Sequence, residues 1–108
     1  MEIRRYISPQ GRDVFGEWFD RLSDKQAKAR IATRIDRLVV GNFGDTKRLK
    51  GGLAELRVDW GPGYRVYYAI VGEACVLLLC GGDKRKQSSD IERAVEYLRD
   101  YQERTRGR

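Results

Sequence analysis

The chain has 108 residues and a mass of 12.5 kDa, and its 22 Lys and Arg residues exceed its 16 Asp and Glu residues, giving a formal net charge of +6. A chain of this length predicts a single domain over residues 1–108. No apolar run approaches the roughly 18 uninterrupted residues that a membrane span requires, which excludes an integral membrane protein. The lack of an apolar signal segment predicts a cytoplasmic location.

The residues available for chemistry are few in kind. The chain has no histidine, and its two cysteines, Cys75 and Cys80, do not form a C-x-x-C motif. Structural zinc and Ser-His or Cys-His nucleophile pairs therefore lack the residues that they need. The odd separation of the cysteines along a predicted strand is expected to put the two thiols on opposite faces, where they cannot bridge each other. Any chemistry must depend on Arg, Lys, Tyr, carboxylates or the backbone.

The first part of the chain predicts one strand and two helices. Imperfect alternation of apolar residues over positions 2–7 predicts a short edge strand. Apolar residues spaced by one helical turn over 14–22 and over 27–39 predict two amphipathic helices. Ser23 and Gln26 have the spacing of a capping box for the second helix. Its outer side carries basic residues that we expect to be solvated, namely Lys28, Arg30, Arg34 and Arg37.

The middle of the chain predicts a basic loop followed by an antiparallel meander. The loop covers residues 42–52, which mix turn-forming residues with cations. Short glycine-containing turns separate three strand-like runs, at residues 53–60, 64–71 and 74–80. The third run is apolar without alternation, which is typical of a central strand covered on both faces.

The last part of the chain predicts a basic turn over residues 81–87 and a final helix. Ser89 and Glu92 have the spacing of a second capping box, and the helix is expected to fray from residue 103. The fold class is therefore α+β, in the order strand, helix, helix, three antiparallel strands, helix, with the helices packed on one sheet.

Side-chain parity divides the predicted hairpin into an apolar and a polar face. Even-numbered positions from 56 to 60 and from 64 to 70 are apolar and predict the core side. The other side carries Glu55, Arg57, Asp59, Arg65 and Tyr67. If the loop has three residues, 61–63, Asp59 faces Arg65 and Arg57 faces Tyr67.

The polar face has a simple interpretation and a functional one. Asp59 and Arg65 as an exposed cross-strand pair would contribute well under about 1 kcal/mol and need no function. Continued through the next turn, however, the register places Cys80 opposite Arg65 and brings Lys84 to the same side. Cations then come from three separate segments, residues 47–50, 57–65 and 84–86. Such a field suits a phosphodiester backbone, so we favour the functional interpretation.

Several motifs in order resemble one toxin family. They are Leu49–Arg57 (LKGGLAELR), Gly63–Tyr68 (GYRVYY) and Gly81–Lys84 (GGDK), followed by Gln87 and Asp90-Ile91. They resemble the RelE/ParE toxin superfamily, in its HigB-like, phage Gp49-like branch of addiction module killer proteins. The resemblance implies a RelE-like, microbial ribonuclease-type fold. It also implies a type II toxin without a cofactor that cuts mRNA on the ribosome and is held inactive by a cognate antitoxin, usually a helix-turn-helix protein similar to HigA.

The resemblance also implies three candidate catalytic residues. Arg65 matches the phosphate-contacting arginine of the family, Arg57 lies near a basic position of the preceding strand, and Lys84 matches the basic residue after the last strand, with Arg85 as the alternative. The family's tyrosine after the basic turn has no counterpart here. The general acid therefore stays open among Tyr67, Glu55 and Asp83.

Metal-independent RNA cleavage needs cations that stabilise the extra charge on phosphorus, and a guanidinium suits this role. Arg65 and Lys84, then Arg57, are the predicted catalytic residues. The predicted RNA-binding residues are Lys47, Arg48, Lys50, Tyr67, Arg85, Lys86 and Gln87. Two other functions stay open, a ParE-like inhibitor of DNA gyrase without nuclease activity and a nucleic-acid-binding module without catalysis.

Overall fold

The computed structural model of the chain describes residues 1–106. The helices and strands that these residues form are, in chain order, β1 (Glu2–Arg5), α1 (Val14–Arg21), α2 (Lys25–Val39), β2 (Thr46–Arg48), β3 (Leu53–Val58), β4 (Tyr64–Val71), β5 (Cys75–Asp83) and α3 (Gln87–Arg106). Single 3-10 turns precede β3 and α3, at Lys50–Gly52 and Lys84–Lys86. The elements confirm the α+β class. Among these residues, no helix has the length and apolar character that a membrane crossing needs.

The strands form one mixed sheet in the order β1-β5-β4-β3-β2. β3, β4 and β5 make the predicted antiparallel meander. β1 lies at one edge, as predicted, and pairs in parallel with β5, whereas β2 lies at the other edge and pairs antiparallel with β3. Both edge strands carry cations, Arg4 and Arg5 on β1 and Lys47 and Arg48 on β2.

Helices cover both faces of the sheet. α1 and α2 pack on one face, where Phe15 and Ile31 join Val66 of β4 in a hydrophobic cluster. α3 packs on the other face, where Leu98 joins Leu77 of β5 in a second cluster. We call these sides the α1/α2 face and the α3 face. β5 contributes to both clusters, so the structure confirms that its apolar run belongs to a strand covered on both faces.

The second helix begins one residue later than its predicted capping box. The side chain of Asp24 accepts hydrogen bonds from the backbone N–H groups of Gln26 and Ala27. Ser23 was therefore the wrong cap, because the next residue offers a carboxylate in the geometry that the first free N–H groups require.

The last helix begins earlier than predicted. The chain passes directly from the 3-10 turn at Lys84–Lys86 into α3 at Gln87, so Ser89 and Glu92 lie inside the first helical turns and form no capping box. α3 then stays helical through Arg106, which corrects the fraying predicted from residue 103. The predicted tail also includes residues 107–108, which lie outside the described residues.

The segment predicted as a loop, residues 42–52, contains the additional strand β2. Arg34 of α2 stabilises this segment, since its guanidinium donates hydrogen bonds to the backbone carbonyls of Asp45 and Arg57. Arg34 is thus engaged in the fold instead of solvated as predicted. Three residues are too few to show an alternating pattern, which is why the sequence did not indicate a strand here.

The β3–β4 register differs from the predicted one by two residues. The connection covers residues 59–63, so Val58 pairs with Tyr64 and Arg57 pairs with Arg65. The predicted pairs of Asp59 with Arg65 and of Arg57 with Tyr67 are therefore wrong. A shift of two residues preserves parity, so the apolar side is correct through Tyr68. Ile70, also predicted in the core, is 43% exposed.

A bulge in β5 changes its second half. Tyr68 pairs with Leu78 but Tyr67 pairs with Cys80, so one residue is left out of the ladder between them. Leu77 and Cys80 consequently both join the α3-face cluster. By alternation with Leu77, Cys75 lies on this face as well, so the prediction of opposite faces is wrong. Both thiols are free. Cys80 also does not face Arg65, whose partner on β5 is Gly82.

Candidate functional site

Two arginines lie side by side at the end of the central hairpin. Arg57 of β3 and Arg65 of β4 are directly paired, so their side chains leave the sheet on the same side, the α3 face. The Arg65 side chain is 15% exposed and that of Arg57 is 34% exposed. Two adjacent guanidiniums repel each other unless an anion lies between them.

The anion that lies between them is Glu55, two residues before Arg57 on the same strand. Its carboxylate is fully buried, and Oε2 accepts a hydrogen bond of 2.9 Å from Arg57 Nε. The same Oε2 atom lies 3.9 Å from Arg65 Nε. The other oxygen, Oε1, accepts a hydrogen bond of 2.8 Å from the amide of Gln87 at the start of α3. Glu55 therefore connects β3, β4 and α3.

Lys84 reaches the same end of the sheet from the turn before α3. Its backbone N–H donates to the carbonyl of Gly63 at 2.9 Å, which joins the 3-10 turn to the β3–β4 connection. A Cβ atom on Gly63 would lie 3.3 Å from Lys84 Cδ and 3.7 Å from Arg65 Nη1. The Lys84 and Arg65 side chains thus approach each other above Gly63. The structure therefore places Arg57, Arg65 and Lys84 at the same end of the sheet.

The basic turn is held by an ion pair at its start. The carboxylate of Asp83 accepts from the backbone N–H of Arg85 and pairs with the Arg85 guanidinium at 2.9 Å. These bonds lower the pKa of Asp83, chiefly through the Arg85 side chain. Asp83 is therefore held ionised and is a poor general acid. The side chain of Lys86 is exposed beside this pair.

The structure divides the residues that were predicted to contact RNA. Lys47 is paired with Glu55 and therefore lies on the α3 face, and Lys50 is exposed in the following turn. Arg48 is paired with Ala54, which belongs to the α1/α2-face cluster, so its side chain leaves the sheet on the α1/α2 face. The prediction that Arg48 shares one surface with Lys47, Arg57 and Arg65 is therefore wrong.

Two further residues predicted to contact RNA point into the protein. The side chain of Tyr67 is fully buried between Glu55 of β3 and Cys80 of β5, so it has no surface to offer to RNA. Gln87 donates its amide to Glu55 and is half-buried. Tyr67 therefore lies beneath the two arginines, and Gln87 supports their carboxylate partner Glu55.

Three buried polar atoms near the site have no hydrogen-bond partner among the described residues, and they are Arg65 Nε, Tyr67 OH and Asp90 Oδ2. Burial raises the pKa of Tyr67 and, against the attraction of Arg93, that of Asp90. The unpartnered atoms all belong to the α3 side of β4 and to the first turn of α3. This is the least satisfied polar region of the described chain.

Asp90 has no assigned role in the sequence prediction, although a signal for it exists in the motif Gly81-Gly82. A Cβ on Gly82 would overlap Asp90 Oδ2 on one face of β5, and a Cβ on Gly81 would overlap the Trp18 ring on the other. Adjacent glycines in a strand indicate that other groups approach the backbone closely. Here those groups come from α3 and α1.

Comparison with known proteins identifies a family and a relative. A family model with the description "Phage derived protein Gp49-like (DUF891)" matches residues 17–99. A protein of Haemophilus influenzae (strain ATCC 51907 / DSM 11121 / KW20 / Rd), described as "Uncharacterized protein", is 50% identical over 81 residues, which are 75% of this chain and 82% of that protein. The family match covers both arginines, Glu55, Lys84 and Asp90.

Proposed function

The chain belongs to the phage-derived Gp49-like family, the addiction-module killer group similar to RelE, and from this premise we propose that it is a metal-independent endoribonuclease that cuts mRNA on the ribosome. Membership in a toxin family implies an antitoxin in general. We propose further that the pair is of type II and, following the HigB-like resemblance, that the antitoxin is a helix-turn-helix protein similar to HigA.

The observation that supports this proposal is the meeting of three cations from three elements. Arg57 and Arg65 are neighbours across two strands, and the side chains of Arg65 and Lys84 both lie beside Gly63 in the β3–β4 connection. Arginine binds two phosphate oxygens at once through its planar edge, and an ammonium adds a compact point charge. A scissile phosphodiester at this position would contact all three.

Each cation has a distinct role in the proposed reaction. The ribose 2′-hydroxyl loses its proton to water and its oxygen attacks phosphorus, the bond from phosphorus to the 5′ oxygen breaks, and a 2′,3′-cyclic phosphate remains. Arg65 and Arg57 stabilise the extra negative charge on the phosphoryl oxygens in the transition state. Lys84 donates a proton to the departing 5′ oxygen. Tyr67 is too deeply buried for that role, and Asp83 is held as a carboxylate by Arg85.

Exposed cations around this centre would hold the RNA strand. Lys47 lies in β2 and Lys50 in the 3-10 turn that follows it, and Arg85 and Lys86 lie in the turn before α3. Contacts of this type bind phosphates and position a strand without reading its bases. Sequence or codon preference would therefore come from the ribosome or from contacts other than these.

The test is cleavage of mRNA on purified translating ribosomes, with mapping of the new RNA ends. Arg65→Ala should reduce the cleavage rate by about 10²–10³-fold because it removes transition-state charge stabilisation. Lys84→Ala should reduce it by about 10²-fold because it removes the proton donor. Arg99→Ala, an exposed arginine on α3, is the control with the same loss of charge and should cleave like the wild type.

Three results would contradict the proposal. Unchanged cleavage by Arg65→Ala would remove the arginine from the reaction. Intact mRNA with arrested DNA replication would instead support a gyrase inhibitor similar to ParE. RNA binding without new ends in any sample would leave a nucleic-acid-binding module without catalysis.

A further inference from the structure

We propose that Glu55 is a positioning residue whose buried carboxylate orients Arg57 and Arg65 for the scissile phosphate at the expense of phosphate affinity. The inference deepens the proposed nuclease function and rests on it for its cleavage measurement. Glu55 does not touch the substrate in this proposal. It acts on the reaction through the two arginines.

The first argument is the burial of the charge. Glu55 is fully buried, and an isolated carboxylate in such a place is strongly unfavourable unless cations or hydrogen-bond donors surround it. The side chains that donate to Glu55, or that lie close enough to compensate its charge, belong to the candidate site: Arg57, Arg65 and Gln87. A carboxylate serving only the core would not need two arginines that are themselves partly exposed.

The second argument is which atoms of the arginines Glu55 engages. Arg57 uses Nε for its bond to Oε2, and Arg65 presents Nε toward the same oxygen at 3.9 Å. Among residues 1–106, Arg57 Nη atoms donate to no protein acceptor, and Arg65 Nη1 donates only a 3.3 Å bond to the carbonyl of Tyr64. Holding a guanidinium at Nε fixes its plane and leaves the terminal nitrogens for another anion.

The third argument concerns the 3.9 Å distance itself. It is too long for a hydrogen bond, and Arg65 Nε has no other partner among the described residues. Arg65 is thus held beside Glu55 by charge and not by a hydrogen bond, so its orientation is fixed less firmly than that of Arg57. Arg57, at 2.9 Å, is the fixed member of the pair.

A buried negative charge beside a phosphate site has two opposite effects. It weakens binding of the phosphate by electrostatic repulsion, and it speeds the reaction if the oriented guanidiniums match the transition state better than the ground state. Removing the charge should therefore strengthen RNA binding while slowing cleavage. A residue with a purely structural role would not give changes of opposite sign.

The experiment compares Glu55→Gln with Glu17→Gln. Both remove one carboxylate bound to an arginine, but Glu17 is on α1 and pairs with Arg12. Binding is measured at fixed salt with a short RNA that is fully 2′-O-methylated, and cleavage is measured on ribosomes in single turnover. Glu55→Gln should lower Kd about tenfold through lost repulsion and slow cleavage about 10²-fold through misplaced guanidiniums. Glu17→Gln should change neither by more than about twofold.

An NMR measurement tests the geometry without any reaction. In the wild type the Nε–H proton of Arg57 should exchange slowly with water, and Glu55→Gln should accelerate its exchange or shift its resonance strongly. Glu55→Asp, which retains the charge one methylene farther away, should bind RNA like the wild type and cleave at an intermediate rate. If Glu55→Gln fails to fold, Glu55→Asp still tests the positioning role, since wild-type cleavage by this variant would refute it.

The results separate the two proposals. If the wild type cleaves and Glu55→Gln cleaves as fast or faster, Glu55 is only a repulsive charge and the positioning role is refuted. If binding and cleavage both fall along with the melting temperature, Glu55 is structural and the role is again refuted. If the wild type shows no cleavage at all, the nuclease proposal fails. The RNA affinity and the Nε–H exchange then still show whether Glu55 orients the arginines.

Discussion

Replacing Tyr67 and Tyr68 separately by phenylalanine should change stability in opposite directions. The two residues are neighbours on β4, both are buried, and each variant removes one hydroxyl group. Their hydroxyls differ in one respect. Tyr68 OH lies 2.7 Å from Thr46 Oγ1, whereas Tyr67 OH has no partner among the described residues.

The expected magnitudes follow from this difference. Tyr67→Phe removes a buried polar group that has lost its hydration without compensation, so the free energy of unfolding should rise by about 1 kcal/mol. Tyr68→Phe removes a satisfied hydrogen bond and should lower it by about 1 kcal/mol. The Thr46 hydroxyl retains the carbonyl of Glu55 as acceptor, so the second change leaves no unpaired donor behind.

Urea denaturation and thermal melting measure both variants against the wild type. The melting temperatures of the two variants should differ by about 8 °C, because about 1 kcal/mol shifts a domain of this size by about 4 °C. Equal denaturant slopes would show that the unfolded states are alike. A Tyr67→Phe protein less stable than the wild type would refute the reasoning, since its hydroxyl would then have a favourable partner.

Three further predictions concern the helix starts and β5. Asp24→Ala should lower the free energy of unfolding by about 1 kcal/mol while Ser23→Ala changes it little, as denaturation would show. Gly82→Ala should lower the free energy of unfolding by about 1–3 kcal/mol because the new Cβ overlaps the Asp90 carboxylate. Much of that loss should disappear in a Gly82→Ala/Asp90→Ala double variant, which removes the carboxylate. Burial raises the pKa of Asp90 in the folded state, so the ionised side chain destabilises the fold. This loss of stability should be absent below the ordinary aspartate pKa and should grow as the pH rises to the pKa of the folded state. Asp90→Asn should therefore exceed the wild type in stability near neutral pH and lose this advantage in acid, and an advantage independent of pH would contradict the assignment.

The sequence predicts the layers of the fold better than its register. Alternation along β3 and β4 identifies the core side because hydrophobic burial acts on each residue independently of its partner. The length of the connection depends on tertiary contacts instead. Trp60 leaves the ladder because its indole N–H donates to Asp24 and its ring stacks beneath Arg30, both at or near α2. Such contacts are not visible in a Gly-Pro-Gly motif.

In the candidate site, the sequence predicts the cations but not the roles of the carboxylates. Its cations could be predicted because they lie near turns whose motifs resemble a known family, and an error of two residues in register does not separate them. The roles of the carboxylates could not be predicted in the same way. Glu55 was one of three candidate acids, but its burial beneath the arginines arises only when β3, β4 and α3 meet. Asp90 depends likewise on the approach of α3 to Gly82.

The cations on the two outer strands have a consequence for how copies of the protein meet. An outer strand offers unpaired backbone groups to which a strand of another copy could add. Lys47 and Arg48 of β2 form no ion pair among the described residues, whereas Arg4 and Arg5 of β1 are paired with Glu2 and Asp13. Two β2 edges brought into contact therefore join like charges, which opposes growth of the sheet into aggregates through that edge. High ionic strength would screen this repulsion, so aggregation should be weakest in buffers of low ionic strength.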